Sequence, residues 1–252
     1  MLLSVLAAVL SAAFAVVVGR SWVRTGRSAF LCWAAGLLIF SAAAVAQAVG
    51  QARGFDETTF RVFYLLGGIL GVAYLALGTV HLMAPAGWAR GATIGLLVLS
   101  VVAAVAVALA PVDTSQLGTS KGVIGDAFTG SSTALVRGLA AVLNAVGTLI
   151  LVGGSGWSAW RFWRERRGID RVVCNVLLTA GALVVALGLT VARLVGDAAG
   201  GIAALGAFEA AGIGIMFAGF LSLGRVGVRP PASAVVPKPP ADASAPHRER
   251  VP

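Results

Sequence analysis

Apolar residues dominate seven stretches of the chain, at about 1–18, 29–50, 61–84, 92–111, 133–156, 172–193 and 201–224, and polar residues gather in the short segments between them. Most of the seven reach the roughly 20 residues that a helix needs to cross about 30 Å of hydrocarbon. In lipid only a helix satisfies its own backbone donors and acceptors, so each stretch is expected to be helical. The pattern predicts an all-α integral membrane protein, a bundle of seven transmembrane helices over 1–224. It ends in a Pro/Ala-rich tail over 225–252, where seven of the nine prolines lie and where no packed structure is expected.

The third stretch carries the most regular polar pattern. Tyr64, Gly67, Gly71, Tyr74, Gly78 and His81 alternate in spacings of three and four, which predicts one shared helix face. Arg61 extends that face at its start.

Composition supports the membrane class. The 252 residues are 58% hydrophobic and 12% charged, with a mean hydropathy of +0.93. Charged residues are about a quarter of an ordinary soluble domain, so this chain has too little polar surface for a water-soluble globule. The net charge of +9 does not point to nucleic acid, because the basic residues sit at the ends of apolar runs rather than along one soluble face. Trp157, Trp160 and Trp163, interleaved with Arg161, Arg164, Arg166 and Arg167, read in the same way: an interfacial belt with snorkelling cations. The lipid bilayer is the expected partner.

Charge placement also predicts orientation. The first, third and fifth connections hold Arg20, Arg24, Arg27, Arg90, Arg161, Arg164, Arg166, Arg167 and Arg171. The even ones, with the span ends beside them, hold Arg53, Arg61, Lys121, Arg137 and Arg193. The excess of nine over five predicts odd connections in the cytoplasm, an outer N-terminus and a cytoplasmic C-terminus. No basic residue precedes the first apolar run, which favours a retained helix over a signal peptide. The preference for Arg over Lys, with abundant Ala, Gly and Val, resembles a GC-rich bacterial coding bias, so the expected location is the inner (cytoplasmic) membrane of a bacterium.

A weak internal correspondence is visible. Cys32 and Cys174 open the second and sixth spans, and Gly78 and Gly219 lie near the ends of the third and seventh, at separations of 142 and 141 residues. This fits a parallel 3+1+3 repeat with the fourth span as linker. Neither cysteine has a second Cys or a His at ligand spacing, and both read as small packing residues.

Glu209 is the one acidic residue deep within a predicted span, about 12 Å in from Gly201 at 1.5 Å per residue. An ionisable group at that depth is costly and points to function. Depth arithmetic places Gln47, Arg61, Tyr64, Arg137, Thr190, Arg193 and Glu209 in the outer half of the bilayer or at its rim, with Asn144 near the midplane. They are expected to converge on an outward-facing polar cavity, with Arg193 or Arg61 pairing Glu209. Tyr74 is a further binding candidate on the third span. Gly67, Gly71, Gly78, Gly206, Gly212 and Gly219 are expected at helix-packing contacts.

His81, Asn175 and Thr179 form a thinner set toward the inner side. With no second membrane histidine, a bis-histidine haem site is not expected, and His81 reads as structural or interfacial. No phosphate loop, zincin or nucleophile-elbow motif occurs, and no lysine in the seventh span offers a Schiff-base anchor. Neither catalysis nor a cofactor or metal is expected. The functional expectation is a small-solute transporter or permease with its polar cavity around Glu209, binding a small-molecule ligand. The alternatives are a membrane sensor or interaction subunit, or a purely structural membrane protein. Small-residue faces make homo- or hetero-oligomers plausible.

Overall fold

A computed structural model describes residues 1–117, 127–166, 168–195 and 198–226, with the backbone alone for 193–195, 198–200 and 224–226. The expected tail lies almost wholly outside the described residues. Among those described, the chain is all-helical, with seven helices long and apolar enough to span a membrane. They are α1 (Leu2–Thr25), α2 (Ser28–Arg53), α3 (Glu57–Met83), α4 (Ala86–Leu109), α5 (Thr133–Arg164), α6 (Ile169–Val195) and α7 (Ala198–Val226).

The turns are built from local signals. α1 ends where Gly26 takes a left-handed φ of 68° and returns its N–H to the Trp22 carbonyl. Asp56 caps α3 by accepting from the Thr59 amide at 2.8 Å, and the Thr59 hydroxyl adds a second bond at 3.0 Å. Pro85 stops α3 and opens α4, with Ala84 before it extended. α5 runs past the expected end near 156 to Arg164: its Trp/Arg stretch contains no Gly or Pro to break it, and Arg161 pairs with Glu165 one turn on.

α3 is not a uniform helix. Its Tyr64–Leu70 stretch is π-helical, and the Gly71 amide reaches back five residues to the Leu66 carbonyl. The polar stripe therefore does not hold one face. Gly67, Gly71 and Gly78 lie against Ala43, Phe40 and Trp33 of α2, whereas the Tyr74 hydroxyl meets Ser100 of α4 at 3.2 Å. The stripe runs along the seam between α2 and α4.

Six helices close a ring in the order α1, α2, α3, α5, α6, α7, with α7 returning to α1. α4 stands outside it, against α3 and α5. Lipid is as apolar as leucine, so close packing rather than escape from water holds such helices together. Two regimes are visible. Toward the end of the bundle where Met1 lies (the Met1 end), Ala7, Ala8, Ala44 and Ala210 meet and bring α1, α2 and α7 close. Toward the end marked by Gly26, aromatic side chains fill the ring: Phe14 stacks on Phe217 with centroids 5.0 Å apart and meets Phe220 at 5.5 Å. α6 and α7 share the most extensive contact. Their backbones touch at Gly181 and Gly212, where a Cβ on either residue would fall within 2.6 Å of the other's carbonyl oxygen.

Candidate functional site

The structure divides the expected outer polar set into two groups on different sides of the ring. The first lies where α1, α2 and α7 meet. Gln47 is fully buried on α2. Its amide nitrogen points at the Ile202 carbonyl of α7, 3.4 Å away, and the Gln51 amide donates to the same oxygen at 3.2 Å. Ser4 of α1 donates to Gln51 Oε1 at 3.0 Å, and its Oγ would be 2.7 Å from a Cβ on Gly206. Gly206 is thus what lets α7 seat against this polar corner. Glu209 lies one turn further along α7.

Three oxygens in this region have no hydrogen-bond partner: Gln47 Oε1, Glu209 Oε2 and Ser11 Oγ, all sealed from solvent. Buried polar atoms are ordinarily satisfied, so three orphans on three neighbouring helices need a reason. The expected polar residues do not include Ser4, Ser11 or Gln51. A signal for the serines was present: they stand seven apart, on the buried face of α1 with Ala7 and Ala8.

The second group surrounds α3, α4 and α5. Arg61 does not pair with Glu209. Its guanidinium holds Glu57 Oε1 at 2.6 Å, donates to the Ala110 carbonyl at 2.8 Å, and also donates to the Val107 carbonyl. A cation there satisfies acceptors that the C-terminal end of α4 leaves open, and it sits at the negative end of that helix dipole. Tyr64 is buried against Phe60 and Phe128, with ring centroids at 5.9 and 4.9 Å. Asn144 donates to the Ala140 carbonyl at 2.8 Å and to the Gly68 carbonyl inside the π-helical stretch. A π-turn shifts the register of acceptors, and Asn144 supplies a donor to one of them. The single outward cavity expected from depth is therefore not what these side chains build. The Arg193 side chain lies outside the described residues.

Gly67 sits 3.1 Å, by its would-be Cβ, from the Ala43 methyl, and Gly78 receives the Trp33 ring. Gly219 lies under Leu177 and the Cys174 carbonyl. These glycines close helix contacts.

A cavity of about 30 Å³ lies instead in the middle of the ring, toward the Gly26 end. Its wall is mainly apolar, with Phe14, Trp33, Leu75, Met216 and Phe220 among its residues, Thr79, Ser155, Ser158 and Asn175 as polar points and no charged residue in the lining. It has room for about one or two waters. Ser155 and Thr179 share a hydrogen bond of 2.7 Å across α5 and α6 beside it. Trp33 Nε1 is buried without a partner. His81 is elsewhere, tying Ser28 at 2.9 Å to Thr93 at 2.8 Å. Thr93 already donates to the Ala89 carbonyl, so it accepts from His81 Nε2, and Ser28 donates to Nδ1. Both ring nitrogens are occupied, which opposes an axial ligand role.

No group of three or more His, Cys, Asp or Glu residues with metal-site geometry occurs among the described residues. In comparisons with protein-family models, curated proteins and solved structures, the chain matches none of them.

Proposed function

We propose that the protein is a small-solute transporter of the bacterial cytoplasmic membrane, with Glu209 as its coupling carboxylate and Met1 on the outer side. One observation carries the reading: Glu209 Oε2 is buried among membrane helices with no hydrogen-bond partner. A carboxyl group in that position is expensive, and an exchangeable proton or cation gives it a use.

The ring order supports the same reading. The first three helices and the last three each form a sequential group, α7 meets α1, α3 meets α5, and α4 stays outside. That arrangement suits two parallel repeats about an axis along the membrane normal, with α4 as linker. Gly78 packs on Trp33 beside Cys32, and Gly219 on the Cys174 carbonyl, so the corresponding glycines meet corresponding levels of the second helix in each half.

In this reading the protein is closed on the outer side, where alanines and glycines meet, and keeps its central space on the cytoplasmic side. The cavity's uncharged lining favours a small neutral solute with hydrogen-bonding groups. The π-helical stretch of α3 is the place where its outer half can change register.

The test is stopped-flow permeation of small neutral amides, polyols and sugars into proteoliposomes, with a pH gradient imposed or absent. Uptake above empty liposomes that responds to the gradient, with the response lost in Glu209→Gln, is the expected result. Equal behaviour of wild type, Glu209→Gln and empty liposomes throughout the panel would refute the proposal.

A further inference from the structure

A second cavity lies on the outer surface of the ring, where α1 and α2 frame a groove of about 420 Å³ at the Met1 end. The two helices are antiparallel neighbours: Ser4 bonds to Gln51, and the Ala8 carbonyl accepts from Ser41 at 2.9 Å. Ala8 and Ala48, both almost wholly buried, form the floor. Val5 and Val9 of α1 and Val45 and Val49 of α2 stand beside it, each between 38% and 59% exposed. Small residues on the line of contact, with branched ones at its edges, are what open the groove.

The groove has a direction and a charged end. Its α1 wall is a row of residues four apart, Met1, Val5 and Val9, and its α2 wall is the antiparallel row Val45, Val49 and Arg53. Eight residues of helix rise about 12 Å, close to the roughly 15 Å that one leaflet contributes to the hydrocarbon of a bilayer. The groove therefore runs along the helix axes, as an acyl chain does. Arg53 lies at the same end as Met1. Its side chain is exposed and makes no ion pair or hydrogen bond among the described residues. The acidic groups that follow it in the chain are engaged elsewhere, Asp56 with the amide and hydroxyl of Thr59 and Glu57 with Arg61. A free guanidinium at the rim of the hydrocarbon offers the planar fork of donors that suits a phosphate.

We propose that this groove is a binding site for an anionic phospholipid, with one acyl chain laid between the valines and the headgroup phosphate held by Arg53. Lipid tails and valines are equally apolar, so the chain supplies fit and not selectivity. Selectivity falls to the charge. A zwitterionic headgroup carries its own cation beside the phosphate, whereas an anionic one leaves a net charge for Arg53 to meet. One basic residue near the membrane surface gives about a fivefold preference for the anionic lipid. Free phosphate has no tail for the groove and is not the occupant. The site is separate from Glu209 and from the central cavity, and it stands whether or not a solute is carried.

The experiment is photocrosslinking of the full chain in phosphatidylcholine nanodiscs, with trace phosphatidylglycerol or phosphatidylcholine carrying the same diazirine-labelled acyl chain, and mapping of the labelled residues by mass spectrometry. The exposed stretch 97–101 of α4 serves as the internal reference. Relative to it, the phosphatidylglycerol probe is expected to label 5–9 and 45–49 about five times as strongly as the phosphatidylcholine probe. Arg53→Gln removes a side chain that bonds to nothing in the fold, so it should unfold at the wild-type temperature and bring the ratio to about one. Ala52→Trp fills the groove from an exposed lining position and should lower labelling of both segments. Arg24→Gln, at the opposite end of α1, should leave the ratio unchanged. Equal labelling by the two probes overturns the proposal, as does a preference that survives Arg53→Gln, labelling untouched by Ala52→Trp, or a preference lost equally in Arg24→Gln. Competition by inorganic phosphate would overturn the lipid as the occupant.

Discussion

Gly212→Ala is the sharpest test of how the bundle is held. A Cβ at Gly212 would stand 2.5 Å from Val185 Cγ2, 2.6 Å from the Gly181 oxygen and 3.0 Å from the Val185 nitrogen. Two of those three atoms are backbone, so no rotamer change relieves the clash. Restoring an ordinary contact with the Gly181 oxygen requires α6 and α7 to separate locally by about 0.8 Å. A gap of that order forfeits a quarter to a half of each van der Waals contact along the most extensive helix pair in the bundle, and water gives no compensating drive in lipid. The expected cost is about 2 kcal/mol, within the usual range for overpacking. It should lower Tm in micelles by about 4–8 °C. Gly95→Ala on α4 is the matched control. A Cβ there meets nothing within 4 Å, and alanine is the better helix former, so its Tm should stay level or rise slightly. If the two variants lose stability equally, or if Gly212→Ala is neutral, the idea that backbone approach at the small residues holds the ring together is wrong.

Asn144→Leu should loosen the middle of α3. It strips the Gly68 carbonyl of its side-chain donor, at a cost of about 1 kcal/mol, and hydrogen exchange should rise at the amides of 64–71 before it rises elsewhere. A uniform change along α3 would count against the Asn144 role. At the α3 cap, the Asp56 carboxyl titrates below its ordinary value, chiefly because the Thr59 amide donates to it and then because the Thr59 hydroxyl does. A lowered folded pKa means that the cap contributes in full above the ordinary value of about 3.9 and is lost as pH falls through the folded value. The Thr59 amide resonance should therefore move at a midpoint below 3.9 in wild type and stay still in Asp56→Ala; a midpoint at or above 3.9 contradicts the cap geometry.

The seven spans were legible from the sequence for a simple reason. Length and hydropathy decide whether a segment can cross a bilayer, and the backbone's need for internal hydrogen bonds then requires a helix. The breaks that the structure shows at Gly26 and Pro85 have equally local causes. Glu209 stood out because an acidic residue within an apolar run is conspicuous whatever surrounds it. The sequence did not determine which helix each face meets. Lipid and protein interior are alike in polarity, so an apolar face carries no label for its neighbour, and α4 outside the ring reads no differently from the six within it. Arg61 was within reach of Glu209 by depth alone, yet only the packing of α3 on α4 brings it to the Ala110 carbonyl and to Glu57. The π-helical stretch, which parts the tyrosines from the glycines of the third span, depends on a donor 76 residues away, Asn144. Ser4 looks like any small residue in a membrane helix until Gln51 of α2 and Gly206 of α7 close on it. The chain by itself determines the elements and the costly group, while the tertiary structure decides the partners, because those come from helices distant in sequence and are selected by close fit.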